Sequence, residues 1–281
     1  MIAVVTGAGG LTGGEIARLL VAQGEQVIAV SRHDADIEGA TSVVGDAGEP
    51  TVLATHLGKA DVVIHVAGVR EGPRLARVPG LAAVPRLIVI SSAGVYSKHR
   101  ASAAAYRAGE KALTDVHPGV LCIRPTMIYG SSRDRNIHHV IRFAHRFGVL
   151  PQIGDGRAHL QPIHFADLAA ATVALTPLGN TGTLDAGGAA PTSLGALLRE
   201  VFAALGRPTR IARLPAGPSL AAARLIDFVT GRRLAERIER MAEERTVDIG
   251  DLVTATRLQP RPFEEGVRDQ VAAMRADGTL A

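Results

Sequence analysis

The stretch Ile2–Leu20, IAVVTGAGGLTGGEIARLL, decides the fold that we predict for this chain of 281 residues. A β-branched and apolar run is followed by a glycine turn and then by apolar side chains at helical spacing. In a strand–turn–helix of this kind, the glycines permit the tight turn, the approach of a pyrophosphate and the packing of helix on strand. We therefore expect Gly7, Gly10, Leu11 and Gly13 to hold the pyrophosphate of a dinucleotide at the helix N-terminus. The alternative is a glycine-rich turn in an unrelated α/β protein.

The glycines of this turn recur every third residue, in TGAGGLTG. That spacing resembles the short-chain dehydrogenase/reductase superfamily, and most of all its extended and atypical branches, the relatives of the nucleotide-sugar epimerases and dehydratases. Several later segments resemble the same family: ADVVIHVAG at 60–68, LIVISSAGV at 87–95, RPTMIYG at 124–130, GDGRAHLQPIHFADLAAA at 154–171 and the closing RLQPRPFEEGVRD.

The resemblance implies a doubly wound α/β Rossmann fold, with a parallel sheet and a smaller, mostly helical C-terminal substrate domain. Residues 1–130 are the expected NAD(P)-binding domain, with a return segment near 154–176. Residues 131–281 are expected to form mainly the substrate-binding part. The prolines Pro73, Pro79 and Pro85 predict a truncated or irregular fourth helix, because a long helix does not fit between them.

Composition restricts the partners of this chain. Its net charge is +4 and only 3% of its residues are aromatic. The basic residues are scattered rather than clustered with aromatic ones, so we expect a small-molecule substrate and no nucleic acid. The single cysteine, Cys122, and a first strand that starts at residue 2 favour a cytoplasmic protein without a leader. We expect no stable membrane insertion and a monomer or homodimer; the amphipathic stretch 216–244 is interpreted as a flank of the C-terminal part rather than a membrane-surface helix.

The end of the second predicted strand, Gln26–Val30, bears on the choice of cofactor. It is followed by Ser31-Arg32-His33-Asp34. An acidic residue at this place binds the ribose hydroxyls of NAD, whereas an arginine accommodates the 2′-phosphate of NADP. We predict NADP, bound through Arg32. NAD is possible, with Asp34 as the ribose contact.

The resemblance implies three further cofactor contacts. Asp46 follows the third predicted strand, where the family often places an aspartate at the adenine end of the cofactor; the alternative is an aspartate that binds its own turn. Ala67 and Ser91 are expected to border the nicotinamide ribose. His65, inside the fourth strand, is interpreted as a packed histidine rather than a catalyst.

Short-chain reductases transfer a proton with a serine, a tyrosine and a lysine four residues after the tyrosine. The lysine lowers the pKa of the phenol, so that the phenol exchanges a proton near neutral pH. Ser92 stands where the resemblance implies the serine, but no tyrosine of this chain is followed by a lysine at that spacing. The standard mechanism is therefore in doubt.

Three registers are possible for the missing pair. Tyr96 pairs with Arg100 in the first and Tyr106 with Glu110 in the second, with Lys111 one residue too late. The third register aligns GEKAL with the family's glutamate-containing helix segment, which puts Tyr106 at the lysine site and Ser102 at the tyrosine site. We predict Tyr106, with Ser92 and Lys111, as the proton-transfer residues.

The function that follows is an NAD(P)-dependent oxidoreductase or epimerase/dehydratase-like enzyme that transfers hydride on a hydroxyl or carbonyl substrate. By resemblance, Tyr129 and Asn136 are expected to contact the substrate. The histidines lack the spacing and the acidic or cysteine neighbours of a zinc site, so no metal is expected. The alternative is a catalytically silent NAD(P)-binding protein, acting as a redox sensor or assembly subunit.

Overall fold

The computed structural model describes residues 1–98, 100–134, 136–230 and 243–280, without the side chains of residues 100, 102, 225, 226 and 228–230. Its strands are β1 (Ile2–Thr6), β2 (Gln26–Ser31), β3 (Thr41–Val44), β4 (Val62–His65), β5 (Arg86–Ile90), β6 (Leu121–Pro125), β7 (Ile128–Tyr129), β8 (Leu150–Ile153), β9 (His159–Leu160), β10 (Ile163–His164), β11 (Gly182–Ala186), β12 (Thr192–Ser193) and β13 (Ile211–Leu214). Its helices are α1 (Leu11–Ala22), α2 (Pro50–Leu57), α3 (Gly72–Leu75), α4 (Arg100–Val116), α5 (Ile137–Phe147), α6 (Phe165–Leu175), α7 (Leu194–Leu205), α8 (Ala216–Thr230), α9 (Gly250–Thr256) and α10 (Phe263–Ala276).

These elements divide into two compact units. The first unit comprises Met1–Thr126, Phe165–Gly187 and Val247–Pro260. The second comprises the described residues of Met127–His164, Gly188–Thr246 and Arg261–Ala281. The first unit is thus built from three separate segments of the chain, and the segment that returns to it after Thr126 begins at Phe165.

A sheet of seven strands organises the first unit, in the order β11-β6-β5-β4-β1-β2-β3. Every neighbouring pair runs parallel. Strands of such a sheet are apolar on both faces, as in β4, where every residue is buried. The doubly wound α/β fold predicted from the glycine turn is confirmed.

The region between β4 and β5 is irregular, as its prolines predict. Helix α3 has only four residues. It lies between two single turns of 3-10 helix, Val69–Glu71 and Leu81–Ala83. The leucines of this region, Leu75 and Leu81, are nevertheless fully buried in the core of the first unit.

Three two-stranded sheets, β10-β7, β12-β9 and β13-β8, belong to the second unit. Its core is formed largely by α5, α7 and α10, with Phe202 and Met274 fully buried. Of the predicted amphipathic stretch 216–244, residues 216–230 form α8, while residues 231–242 lie outside the described residues. Within the described ranges, no helix is long and apolar enough to cross a membrane.

Candidate dinucleotide and proton-transfer site

The glycine turn between β1 and α1 has no room for side chains. Gly7 has a φ of +74°, and a Cβ added there would lie 2.8 Å from the backbone nitrogen of Ala67, at the end of β4. A Cβ added at Gly13 would overlap the carbonyl oxygen of Gly7. The first and third glycines therefore bring strand, turn and helix together as the fingerprint requires.

The N-terminus of α1 fits an anionic group. Gly10 is its N-cap residue, no side chain caps the helix, and its first turn carries no acidic residue. Unpaired N–H groups at a helix start carry partial positive charge and bind phosphate. The turn of the predicted residues Gly7, Gly10, Leu11 and Gly13, called the glycine cradle below, has the close packing and the uncapped N–H groups that suit a pyrophosphate. Binding of a dinucleotide by these four residues stays a prediction.

This close packing predicts the effect of one methyl group. The Gly13→Ala variant forces the Gly7 carbonyl to move, which we expect to lower the free energy of unfolding by ~1–3 kcal/mol. Because the displaced backbone belongs to the glycine cradle, dinucleotide affinity should also fall, by about 10- to 100-fold, which is a loss of ~1.4–2.7 kcal/mol in binding free energy. Urea denaturation and titration of reduced-nicotinamide fluorescence measure the two effects.

Gly58 provides the matched control. It follows α2 with ordinary helical angles, and a Cβ added there would meet no atom within 4 Å. Gly58→Ala should therefore leave both stability and dinucleotide affinity near those of the unmodified protein. Equal affinity in the Gly13 and Gly58 variants would contradict the assignment of the turn as the cradle.

The loop after β2 places the residues that bear on cofactor choice. The carboxylate of Asp34 is already engaged within the loop: its Oδ1 accepts hydrogen bonds from the backbone N–H of Asp36 (3.2 Å) and from Ser42 Oγ (2.7 Å). These hydrogen bonds hold the pKa of Asp34 below its usual range, the bond from Ser42 most of all. Arg32 is exposed.

Asp46 binds the backbone of its own turn, which was the alternative to a cofactor contact. Its Oδ1 accepts a hydrogen bond from Gly48 N–H (2.8 Å), and Arg74 Nη1 lies 3.4 Å from its Oδ2. The hydrogen bond from Gly48 is the main cause of a lowered pKa for this carboxyl group. Contact of Asp46 with the adenine end of the cofactor stays a prediction.

His65 is a packed histidine, as predicted. Its side chain is buried in β4, with Nδ1 2.8 Å from Thr6 Oγ1 of β1 and Nε2 3.3 Å from the carbonyl oxygen of Gly68. Burial lowers its pKa from 6.5 to about 4. The neutral ring can thus donate through Nε2 to Gly68 and accept through Nδ1 from Thr6, which ties together the two strands that flank the glycine turn.

Ser92 and Tyr106, two of the predicted proton-transfer residues, both adjoin Gly94. The hydroxyl of Ser92 accepts a hydrogen bond from Gly94 N–H (3.0 Å), and a Cβ added at Gly94 would lie 2.5 Å from Cε2 of the Tyr106 ring. The guanidinium of Arg70 lies over that ring, 4.3 Å from its centroid. The structure therefore brings the predicted serine and tyrosine to the same glycine.

Lys111 lies apart from them. Its side chain is 74% exposed and its Nζ forms an ion pair of 2.7 Å with Asp115, one turn further along α4. The combination of Ser92, Tyr106 and Lys111 for proton transfer stays a prediction, and the lysine has a different partner in this structure.

A nearly buried ion pair joins α4 to the end of β6. Arg124 donates through Nε to Oε1 of Glu110 (2.9 Å) and through Nη2 to Oε2 (2.7 Å). The hydroxyl of Ser91 donates to Oε1 of the same carboxylate. In the third register Glu110 takes the position of the family's helical glutamate; the side chain of Ser102, at the tyrosine site of that register, is outside the described part of the structure.

The same arginine contacts a second tyrosine. Arg124 Nη1 donates to the phenol oxygen of Tyr96 (2.8 Å), and the Tyr96 hydroxyl donates to Oδ2 of Asp185 (2.9 Å) and lies 3.1 Å from Oδ1. Asp185 lies beside these residues because the register of β11 against β6 pairs it directly with Arg124.

The sequence prediction did not select Glu110, Arg124 or Asp185 as site residues, and it considered Tyr96 only as one register of a missing motif. A usable pattern was present for part of the set, since polar residues at the ends of adjacent parallel strands meet at the ligand-binding edge of a sheet. The pairing of β11 with β6 is needed to place Asp185 there, and no local pattern encodes that pairing.

The two predicted substrate contacts belong to the second unit. Tyr129 is fully buried, with its ring 5.1 Å from that of Phe263 and its hydroxyl close to Gly266. The backbone N–H of Asn136 donates to buried Asp134 (2.7 Å). Tyr129 therefore has a packing role, and substrate contact by either residue stays a prediction.

Comparison with known proteins supports a nicotinamide-dinucleotide-binding domain. A family model described as NAD(P)H-binding matches residues 7–132. The chain is 30% identical over 248 residues to the ceramide reductase of Caulobacter vibrioides, a match that covers 80% of this chain and 77% of that protein. The parallel sheet and the NAD(P)H-binding family match define a nicotinamide-dinucleotide-binding protein of the Rossmann class. The chain belongs to the short-chain dehydrogenase/reductase superfamily, in the extended and atypical branch that includes the epimerase/dehydratase-like proteins.

One further relative and one solved structure are also similar to this chain. Subunit 9 of the NADH dehydrogenase [ubiquinone] 1 alpha subcomplex, from mitochondria of Arabidopsis thaliana, is 28% identical over 201 residues, which cover 62% of this chain and half of that subunit. The solved structure of MoeE5 in complex with UDP-glucose and NAD shares the fold with a TM-score of 0.76 and 20% identity, over 98% of this chain and 99% of that one.

Proposed function

We propose that this chain is an NADP-dependent oxidoreductase that acts on a hydroxyl or carbonyl group of a small-molecule substrate. The observation that carries the proposal is the close-packed glycine turn at the uncapped start of α1, which fits a dinucleotide pyrophosphate. When bound, the nicotinamide supplies or accepts a hydride. The residues of the chain have to bind the dinucleotide and move the accompanying proton.

The loop after β2 supports NADP rather than NAD. The position directly after the strand is the cation Arg32, and the nearest carboxylate in sequence, Asp34, is engaged with Ser42 and the backbone of Asp36. Using Asp34 for the ribose hydroxyls would require these hydrogen bonds to be shared or broken. An exposed arginine can bind a 2′-phosphate without that cost.

The Arg32→Ala variant tests this preference. Loss of a charge-assisted hydrogen bond of ~1.5–3 kcal/mol should weaken NADPH binding by about 10-fold or more. NADH lacks the 2′-phosphate, so its affinity should not change. Side-by-side titration of reduced-nicotinamide fluorescence measures both constants.

Arg77, another exposed arginine of the first unit, provides the control. Arg77→Ala removes the same charge and should leave both affinities unchanged. A stronger affinity for NADH than for NADPH in the unmodified protein would move the ribose contact to Asp34. Binding of neither dinucleotide would contradict the proposed function altogether.

The relative named ceramide reductase supports a first choice of substrate probe. We propose to test a short-chain ceramide with NADP⁺, and the corresponding ketone with NADPH, and to follow formation or loss of the reduced nicotinamide. Turnover of either probe supports an oxidoreductase.

The second candidate function is a catalytically silent dinucleotide-binding protein. Two observations favour it: no tyrosine in the chain has a lysine at the family spacing, and one relative is a subunit of a larger NADH dehydrogenase. This candidate predicts tight dinucleotide binding together with no turnover of either probe. The same titration and the same assay therefore distinguish the two functions.

A further inference from the structure

A tyrosine that the family motif does not use lies at the edge of the sheet where the chemistry is expected. Tyr96 ends the 3-10 turn that follows β5 and has Ser92 as its N-cap, and its partner Asp185 is the penultimate residue of β11. Both therefore lie at the carboxyl ends of parallel strands, which is where open α/β sheets bind their ligands. A reaction on a hydroxyl or carbonyl group also needs a proton carrier, and the chain lacks the tyrosine–lysine pair.

The phenol oxygen of Tyr96 has one free position. It accepts a hydrogen bond from Arg124 (2.8 Å) and uses its own hydrogen in the bond to Asp185 (2.9 Å). A phenol oxygen can accept a second hydrogen bond. The Tyr96 residue is 53% exposed, which leaves its side chain open to a substrate.

We propose that Tyr96 and Asp185 are the proton-transfer pair of this protein, with Tyr96 contacting the reacting oxygen of the substrate and Asp185 holding the proton. This inference rests on the proposed oxidoreductase function and names the residues that carry its proton. It competes with the assignment of Tyr106 to the same task.

For an alcohol substrate, the proposed step consists of two proton transfers and the loss of a hydride. The substrate hydroxyl gives its proton to the Tyr96 oxygen, and the hydrogen of Tyr96 passes to the Asp185 carboxylate, so the phenol ends neutral. The nicotinamide dinucleotide, when bound, would take up the hydride of the carbinol carbon, and that carbon would become a carbonyl group. Reduction of a carbonyl group reverses each transfer.

The electrostatic surroundings suit these roles. Burial raises the pKa of Asp185, and the charges of Glu110 and Asp248 raise it further, while the bond from Tyr96 and the charge of Arg124 oppose them. A carboxylate with a raised pKa is a better proton carrier near neutral pH. Burial and the bond to Asp185 also raise the pKa of Tyr96, which keeps its phenol protonated as the relay requires.

Glu110 and Ser91 act as positioning residues. The bidentate bonds of Glu110 fix the guanidinium of Arg124, and Ser91 fixes the carboxylate of Glu110. Arg124 in turn holds the Tyr96 oxygen. The pair is thus aligned by a buried network rather than by a flexible lysine on a helix.

The Tyr96→Phe and Asp185→Asn variants test the proposal with the short-chain ceramide and NADP⁺. Because general acid–base catalysis contributes at least about 100-fold, we expect kcat to fall by that factor in Tyr96→Phe. The dissociation constant for NADPH should not change, since the variant leaves the glycine cradle intact. Asp115→Asn, an exposed substitution on α4, should retain full turnover.

Two spectroscopic and kinetic readouts separate proton transfer from a structural role. The chain has three tyrosines and no tryptophan, so the absorbance change on tyrosinate formation comes from three phenols in total. Asp185→Asn should lower the pH at which Tyr96 ionises, and one ionisation should be missing in Tyr96→Phe. In the unmodified protein, the rate of alcohol oxidation should fall at low pH, because protonated Asp185 cannot accept a proton. The residual rate of Asp185→Asn should not show this fall.

The outcomes distinguish this inference from the function on which it rests. NADPH binding without turnover of the ceramide or its ketone by the unmodified protein would overturn the oxidoreductase function and the pair with it. Turnover that survives in Tyr96→Phe but is lost in Tyr106→Phe would overturn the pair alone. If the rate of alcohol oxidation by Asp185→Asn falls at low pH as it does in the unmodified protein, Asp185 is not the residue that holds the proton.

Discussion

Replacing Glu110 by glutamine is expected to lower the free energy of unfolding by ~3–5 kcal/mol, because it leaves the charge of Arg124 without its partner in a largely buried place. The side chains of Arg124 and Glu110 are only 17% and 10% exposed. Both oxygens of the carboxylate accept bonds from Arg124, and one also accepts from Ser91. A neutral amide cannot accept at both positions.

The neighbouring residues of α4 provide the control. Lys111 and Asp115 form an ion pair that is 74% and 59% exposed, so Asp115→Asn should cost less than ~1 kcal/mol in the same urea-denaturation experiment. Adding Arg124→Met to Glu110→Gln removes the uncompensated cation and should recover part of the lost stability. If Glu110→Gln proves no more destabilising than Asp115→Asn, the pair does not hold α4 against the sheet.

Lowering the pH from 6.5 to 4 should cost the folded protein about 3 kcal/mol through His65 alone. Its pKa is about 4 in the folded protein against an ordinary value of 6.5. Between these two pH values the histidine is protonated more in the unfolded chain than in the folded one. The free energy of unfolding is therefore highest above pH 6.5 and decreases as the pH falls, by up to ~1.4 kcal/mol per pH unit. The physical cause is burial of the ring between β1 and β4.

The His65→Asn variant isolates this contribution. Its amide oxygen can accept the hydrogen bond from Thr6, but the side chain does not titrate. Urea denaturation at several pH values should therefore give a flatter pH dependence for the variant between pH 6.5 and 4, whatever its stability at neutral pH. His33→Asn removes an exposed imidazole and should keep the slope of the unmodified protein; equal slopes in all three proteins would show that His65 is protonated without cost.

Much of the fold was predictable because its determinants are local. The strands β1, β2 and β5 are apolar runs that end at or just before a glycine or a serine, and the glycine turn after β1 is typical of a parallel, doubly wound sheet. The prolines after β4 likewise excluded a long helix. The late return of Val247–Pro260 to the first unit could not be predicted, because no periodicity in that segment names its partner.

The candidate site likewise contains residues that the sequence could identify and residues that it could not. The glycines of the cradle belong to one continuous motif, so their role follows from spacing alone. Tyr96 and Asp185 are 89 residues apart in sequence, and their contact depends on the register of β11 against β6. Arg124 has two hydrogen-bond partners here, Glu110 on α4 and Tyr96 at the sheet edge, and the sequence pattern identifies neither of them.

The three-part construction of the first unit also sets an order of events during synthesis. When the ribosome has made only the first 126 residues, β6 is present but β11, its outer neighbour, has not been translated. The nascent sheet then ends in an apolar strand with unpaired backbone groups, which is the kind of edge that captures other chains. That edge is covered only after residue 186 emerges, so chaperone protection would matter most during the translation of the intervening 60 or so residues.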